Sequence, residues 1–273
     1  MLRFFGQHKK LTAGVLVTAA ALSGTVYKSR RKSRQIEPEI QPEGEKKSII
    51  TLLLEFGAKI LQAKEPLKGT DMYFVGFHPM KDDPCHQMEA HHYCKQVNED
   101  FAQCILYDSN TKNANLTGVE YIISEKLHDQ LPEEERKYWH PHNYEILSGQ
   151  LVAPGLPCVA EKQALKQKMN SYGKTYHTWR ARCWEGDKPY LDTLPKGEAL
   201  LAWSFNHDGE CKPDLIQKRD KNLSITTEQK RKEREDLVQQ AHPQEGTNYL
   251  SENFRKPLHA PDNPESPLCS KLN

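Results

Sequence analysis

Between Asp71 and Phe205 the chain alternates short strand-like runs with helical ones at no fixed spacing, and that texture limits the folds open to it. MYFVGF from Met72, EAHHYCKQV from Glu89, FAQCILYD from Phe101 and TGVEYIIS from Thr117 carry the β-branched and aromatic residues of strands. Only Asn98-Glu99-Asp100 separates the second run from the third, as in a hairpin. KTYHTWRARCW from Lys174 and ALLAWSF from Ala199 read as further strands, and NYEILSGQLVAP from Asn143 as a strand or hairpin segment. EKLHDQLPEEERKYW from Glu125 and AEKQALKQKMNSY from Ala160 read as helices, the second with Gly173 placed as its C-cap. No strand–helix–strand period runs through the stretch. The expected class is therefore α+β: a single domain with an antiparallel sheet and flanking helices.

The flanks have a different character. Residues 1–36 hold eight Lys or Arg and no acid. Within them residues 11–27, LTAGVLVTAAALSGTVY, are uncharged over 17 positions, the lower limit for crossing a bilayer. The basic cluster from Lys28 to Arg34 resists translocation. This favours a membrane anchor with the main domain cytosolic over a cleaved secretory signal; a mitochondrial presequence is the alternative. Residues 36–47 are a Pro- and Glu-rich linker. SIITLLLEFGAKILQAK from Ser48 is an amphipathic helix with a wide apolar face, expected to pack on the domain core, with a lipid surface as the other option. The domain is expected over 48–225. Residues 226–273 follow as a charged helix with little apolar face and a Pro-rich, unstructured tail.

A net charge of +1 gives no bulk field toward nucleic acid, and no residue pattern names a protein partner. Seven widely spaced cysteines contain no C-x-x-C pair and are expected to be mostly reduced thiols. Phosphate-binding, dinucleotide-binding, serine-hydrolase and H-E-x-x-H signatures are absent.

What stands out chemically is histidine. DPCHQMEAHHYC from Asp83 holds His86, His91 and His92; WHPHNYE from Trp139 holds His140, His142 and Glu145; GKTYHTW from Gly173 holds His177. Imidazole is the commonest ligand of transition metals, and carboxylates complete such sites. On an extended segment His140 and His142 point the same way, whereas Glu145 faces away unless the chain bends near Pro141. Thr175, His177 and Trp179 share one face, which sets His177 against an aromatic wall. A third imidazole from His86, His91 or His92 would complete a three-histidine site with one open position. Such a donor set takes a divalent transition metal, with Glu145 as ligand or general base. The competing reading is that each histidine is a hydrogen-bonded structural residue. HPHNYE is similar to the first ligand motif of cupins, but the second half of that pattern is missing here.

HQMEAHHYC, NEDFAQCILYD, LTGVEYIIS, YWHPHNYEILSGQLVAPG and YGKTYHTW occur in an order that resembles the oil body-associated protein family, over roughly Gly69 to Phe205. That family is best known from plant seeds and is also found in fungi and bacteria. The resemblance implies a non-catalytic protein of lipid storage bodies that contributes to their size and stability. It implies no established reaction, although the six histidines named above all lie inside the shared motifs. The apolar N-terminal segment and the Pro-rich C-terminal extension depart from the plant pattern, and they leave a membrane anchor open beside a lipid-body location. The second functional class is a metal-binding domain or metal-dependent enzyme using the histidine-rich site.

Overall fold

The structure is a computed structural model that describes residues 34–180, 183–185 and 188–250. The candidate anchor, residues 11–27, lies outside the described residues. Among the described residues no helix is long and apolar enough to cross a membrane.

Strands β1 (Met72–Pro79), β2 (Gln87–Asn98), β3 (Phe101–Tyr107) and β4 (Leu116–Ile123) pair antiparallel in chain order, and β6 (Tyr172–His177) adds beyond β4. The short strand β5 (His140–Pro141) pairs with the start of β6, and β9 (Leu200–Leu201) pairs with its end. Strands β7 (Cys183–Glu185) and β8 (Lys188–Tyr190) form a separate ribbon. This is the α+β class with an antiparallel sheet that the sequence texture predicts, and the hairpin turns at Asn98 to Phe101 as expected.

The sheet curls until its first strand meets its last. Ala202 bridges to Met80 while its N–H donates to the Thr175 carbonyl at 2.9 Å. Trp203 N–H donates to the Pro79 carbonyl at 2.8 Å, and Lys81 N–H to that of Leu201 at 2.9 Å. Residues 200–203 thus close the ladder between β6 and the end of β1, and backbone groups that an open edge would expose are paired.

Strand side chains alternate faces, so the register lays the inward residues out in rows. One row runs Cys94, Cys104, Glu120, Thr175; the next runs Phe74, His92, Leu106, Gly118, His177. Phe74, Leu106 and Ile122 of this inner face pack with Ile146 from helix α4 (Asn143–Leu147) and Leu165 from helix α5 (Cys158–Lys166). On the outer face of β1, Phe77 packs with Trp203, Phe205 and Leu215, the last from helix α6 (Pro213–Leu223).

The stretch after Ser224 takes part in the fold. Helix α7 (Thr227–Lys232) leads to Arg234 and Leu237, both buried, and Leu250 is buried against the Trp203 cluster. The Arg234 guanidinium donates to the carbonyls of Ile146 (2.6 Å) and Leu151 (2.8 Å), and that of Arg219 to the Gln150 carbonyl (2.7 Å). Two buried cations therefore hold the loop after α4 in place. Deleting such a cation strands buried polar groups, a much larger effect than losing a surface pair.

Several local expectations are corrected. Residues 143–147 are helical rather than extended, because the chain turns at His142 and Ile146 N–H bonds the His142 carbonyl. The stretch 125–139 is two short helices, α2 (Glu125–His128) and α3 (Glu133–Arg136), divided at Pro132, whose missing N–H and ring disfavour a continuous helix. Gly173 caps no helix and lies inside β6. Helix α1 (Ile49–Leu61), capped by the Ser48 side chain, buries none of its residues, so the expected packing on the core does not occur. The reduced-thiol reading fails for at least three cysteines. Cys94 and Cys104 lie directly opposite in the β2–β3 hairpin and form a disulfide, and Cys85 is disulfide-bonded too. Cys158 and Cys211 are free.

Arg234→Met should lower unfolding stability by about 3–5 kcal/mol in urea titrations. Lys68→Met, which removes a surface pair with Glu65, should cost under about 1 kcal/mol.

Candidate functional site

The inner face carries a carboxylate where a core would normally be apolar. Glu120 on β4 is 3% exposed, and its backbone register leaves it nowhere to go but inward. Three imidazoles face it. His92 Nε2 from β2 stands 3.3 Å from Glu120 Oε2; His140 Nε2 and His142 Nε2 each stand 3.5 Å from Oε1. His140 and His142 therefore point the same way, as the extended reading of WHPHNYE implies. The chain then bends at His142 (φ −110°, ψ −12°) into α4, and Glu145 is buried on the inward side, beside Gly76 and His92.

A fourth imidazole, His78, comes from the end of β1. Its Nδ1 meets Nε2 of His177 on β6 at 2.9 Å, a contact that exists only because the sheet closes. Nearby hydrogen bonds set the tautomers. Ser171 Oγ donates to the Lys168 carbonyl at 2.6 Å, so toward His142 it accepts, from Nδ1–H at 2.8 Å. His177 Nδ1–H donates to the Thr117 carbonyl at 3.3 Å, so its Nε2 accepts from His78 Nδ1–H. A neutral His78 is then left with its lone pair on Nε2. Among the described residues, neither ring nitrogen of His140 has a hydrogen-bond partner, nor does Nδ1 of His92.

Gly173, paired with His140 across β5 and β6, makes the convergence possible. A Cβ there would stand 2.4 Å from Glu120 Oε1, 2.6 Å from His142 Nε2 and 2.7 Å from His140 Nε2. Real Cβ atoms do not tolerate such distances.

Burial dominates the electrostatics. It pushes the imidazoles of His78, His92, His140 and His177 down, His140 to about 4 and His177 to about 3, with neighbouring imidazoles adding to the effect. Burial also pushes Glu120 up, but its contacts with His140 and His142 outweigh that and hold the carboxylate well below its usual range. His142 alone is raised: burial opposes its charge, while Glu120 and Glu145 favour it more. Burial lifts Glu145 to about 8, while the His142 charge pulls it back down.

Two of the sequence-predicted residues lie elsewhere. His91 directly precedes His92, holds the opposite phase of β2 and faces outward, where it bonds the Tyr73 hydroxyl (2.8 Å) and lies 3.2 Å from Glu89. His86 sits in the loop before β2, buried beside its own charged neighbours Arg180 and Asp83. His177 faces His78 rather than an aromatic wall, and Trp179 packs with Ile40. The residues that sequence reasoning missed are His78 and Glu120. The signal for both was available: each holds an inward phase of a strand whose alternate positions are otherwise apolar or glycine, Phe74-x-Gly76-x-His78 and Gly118-x-Glu120-x-Ile122. A groove of about 550 Å³, lined by Arg136, Trp139, Trp203 and Tyr249 among others, lies beyond Trp203, whose ring centre is 6.0 Å from that of His140.

A family model described as "Protein of unknown function (DUF1264)" matches residues 64–238. Oil body-associated protein 2B of Arabidopsis thaliana is 40% identical over 69% of this chain and 74% of its own length. Oil body-associated protein 2A of Zea mays is 36% identical over 77% and 82%, respectively. Oil body-associated protein 1B of Arabidopsis thaliana is 34% identical over 70% and 76%. No solved structure matches the chain.

Two outcomes follow from this geometry. Gly173→Ala should cost at least about 1–3 kcal/mol in unfolding stability through overpacking. Gly57→Ala on α1, where no atom lies within 4 Å, is the control. His86 supplies a pH dependence. Burial, reinforced by Arg180, holds it at about 4 against 6.5 in the unfolded chain. Above pH 6.5 it is neutral in both states and contributes nothing. As the pH falls to about 4, the unfolded chain takes up the proton first and stability is lost, at most by about 3 kcal/mol. The acid limb of His86→Asn in urea titrations should be flatter by that amount.

Proposed function

Because the chain belongs to the oil body-associated protein family, we propose that it is a lipid-body protein that works at the lipid surface without catalysing a reaction, and that helix α1 makes the contact. The observation that carries this reading is the exposure of α1. Ile49, Ile50, Leu52, Leu53, Leu54, Phe56, Ile60 and Leu61 all face outward, with exposures from 52% to 85%. Thr51, Glu55 and Lys59 confine the polar surface to one narrow stripe. Each such side chain gains roughly 1.5–3 kcal/mol when it leaves water, which is enough in sum to seat a helix at the headgroup boundary. The names of the relatives support the same surface. The apolar run at 11–27 and its basic flanks would add a second attachment, to the monolayer or to a membrane. Residues 64–238, the span of the family match, form most of the globular body that these segments carry.

The test is flotation with phospholipid-coated triacylglycerol droplets. The full chain should rise with the droplets. Leu53→Asp/Phe56→Asp/Ile60→Asp should reduce the floating fraction at least tenfold while near-UV circular dichroism is unchanged. Removal of residues 1–33 should reduce it less if α1 is the main contact. A triple variant that floats like its parent would refute the role given to α1.

A further inference from the structure

We propose that Glu120, His78, His92, His140 and His142 form a binding site for one divalent transition-metal ion inside the closed sheet. Lipid association needs none of these residues, so the inference stands apart from the one above.

The donor geometry is the first argument. Ligand atoms of His78, Glu120 and His140 all lie within 4.8 Å of one another, and all three residues are buried. The Nε2 atoms of His92, His140 and His142 stand 3.3, 3.5 and 3.5 Å from the Glu120 carboxylate. Around a four- or five-coordinate ion with bonds of ~2.0–2.1 Å, neighbouring ligand atoms are roughly 2.9–3.6 Å apart, so these separations match a shared metal better than direct hydrogen bonds.

Charge is the second argument. One imidazolium could neutralise Glu120, but it would leave the other imidazoles around the carboxylate with lone pairs and no partner. His140 is such a case: its Nε2 stands 3.5 Å from Glu120, outside good hydrogen-bond range, and its Nδ1 has no partner among the described residues. A cation accepts all these lone pairs at once.

The third argument is the layer behind the donors. Metal-ligating histidines characteristically donate their other N–H to an oxygen, which fixes the ring and the tautomer. His142 does so to Ser171, and His78 is held by His177, which in turn donates to the Thr117 carbonyl. Gly173 keeps the space above the donors clear of any side chain. Nitrogen-rich donors with one carboxylate select zinc, iron(II), nickel or copper over magnesium and calcium. The ion would tie β1, β2, β4 and β5 together across the barrel.

The experiment uses the full chain, purified without a histidine tag. Metal content is measured by elemental mass spectrometry. The chelator-treated protein is then titrated with Zn²⁺, and with Co²⁺ followed by its visible absorption. The expected result is one ion per chain, with cobalt bands that zinc displaces. Glu120→Gln and His140→Ala should each weaken binding at least a hundredfold. His91→Ala, on the outer face, should leave it unchanged. Because the first two variants risk misfolding, Ser171→Ala is the decisive one. It keeps every donor but frees the His142 ring, and should weaken binding about 10–100-fold while near-UV circular dichroism stays native. A folded wild-type chain that holds no metal and neither binds Zn²⁺ nor develops cobalt bands would overturn the proposal. Binding that is equal in wild type, Glu120→Gln and His140→Ala would overturn it as well.

Discussion

A buried carboxylate is the constraint around which the inner sheet is organised. Taking Glu120 out of water is costly unless charge and hydrogen-bonding groups surround it. Imidazoles from β2, β5 and the turn into α4 supply that surrounding, and His78 and His177 extend it. These groups arrive through long-range strand pairing, and the His78–His177 contact spans the closure at Ala202. Closure, burial and the choice of glycine at position 173 are then one requirement seen from three sides.

The second layer of the design lies outside the barrel. The loop after α4 follows directly from His142 and Glu145, and its carbonyls are held by Arg219 and Arg234 from the C-terminal third of the chain. Both cations are almost fully buried, and Arg234 makes the segment beyond Ser224 a structural part of the site's support. Helix α1 keeps its apolar face in solvent, while the polar cluster is sealed in the core.

Much of this was legible in the one-dimensional pattern. Strand runs, the hairpin at Asn98 and the amphipathic helix from Ser48 all depend on short-range periodicity, whereas the family resemblance depends on the motifs themselves and their order. Local periodicity survives into the fold because side-chain direction repeats every two or 3.6 residues. The same rule misled where the backbone departs from regularity. NYEIL folds as a helix after a turn at His142, and Gly173 serves close approach in a strand rather than a cap. Cys94 and Cys104 are 10 residues apart in sequence, and only the β2–β3 register sets them opposite each other.

By itself the sequence determined which residue types are concentrated in this chain, the α+β alternation, and membership of a family named for oil bodies. Only the tertiary structure decided which histidines meet. His91 and His92 are neighbours in sequence, yet alternation sends them to opposite faces of β2. His78 and His177 are 99 residues apart, yet closure of the sheet brings their rings to 2.9 Å. Glu120 looked like one acid in an apolar strand until the register turned it inward, because a strand's phase becomes a direction only when a neighbouring strand defines the core.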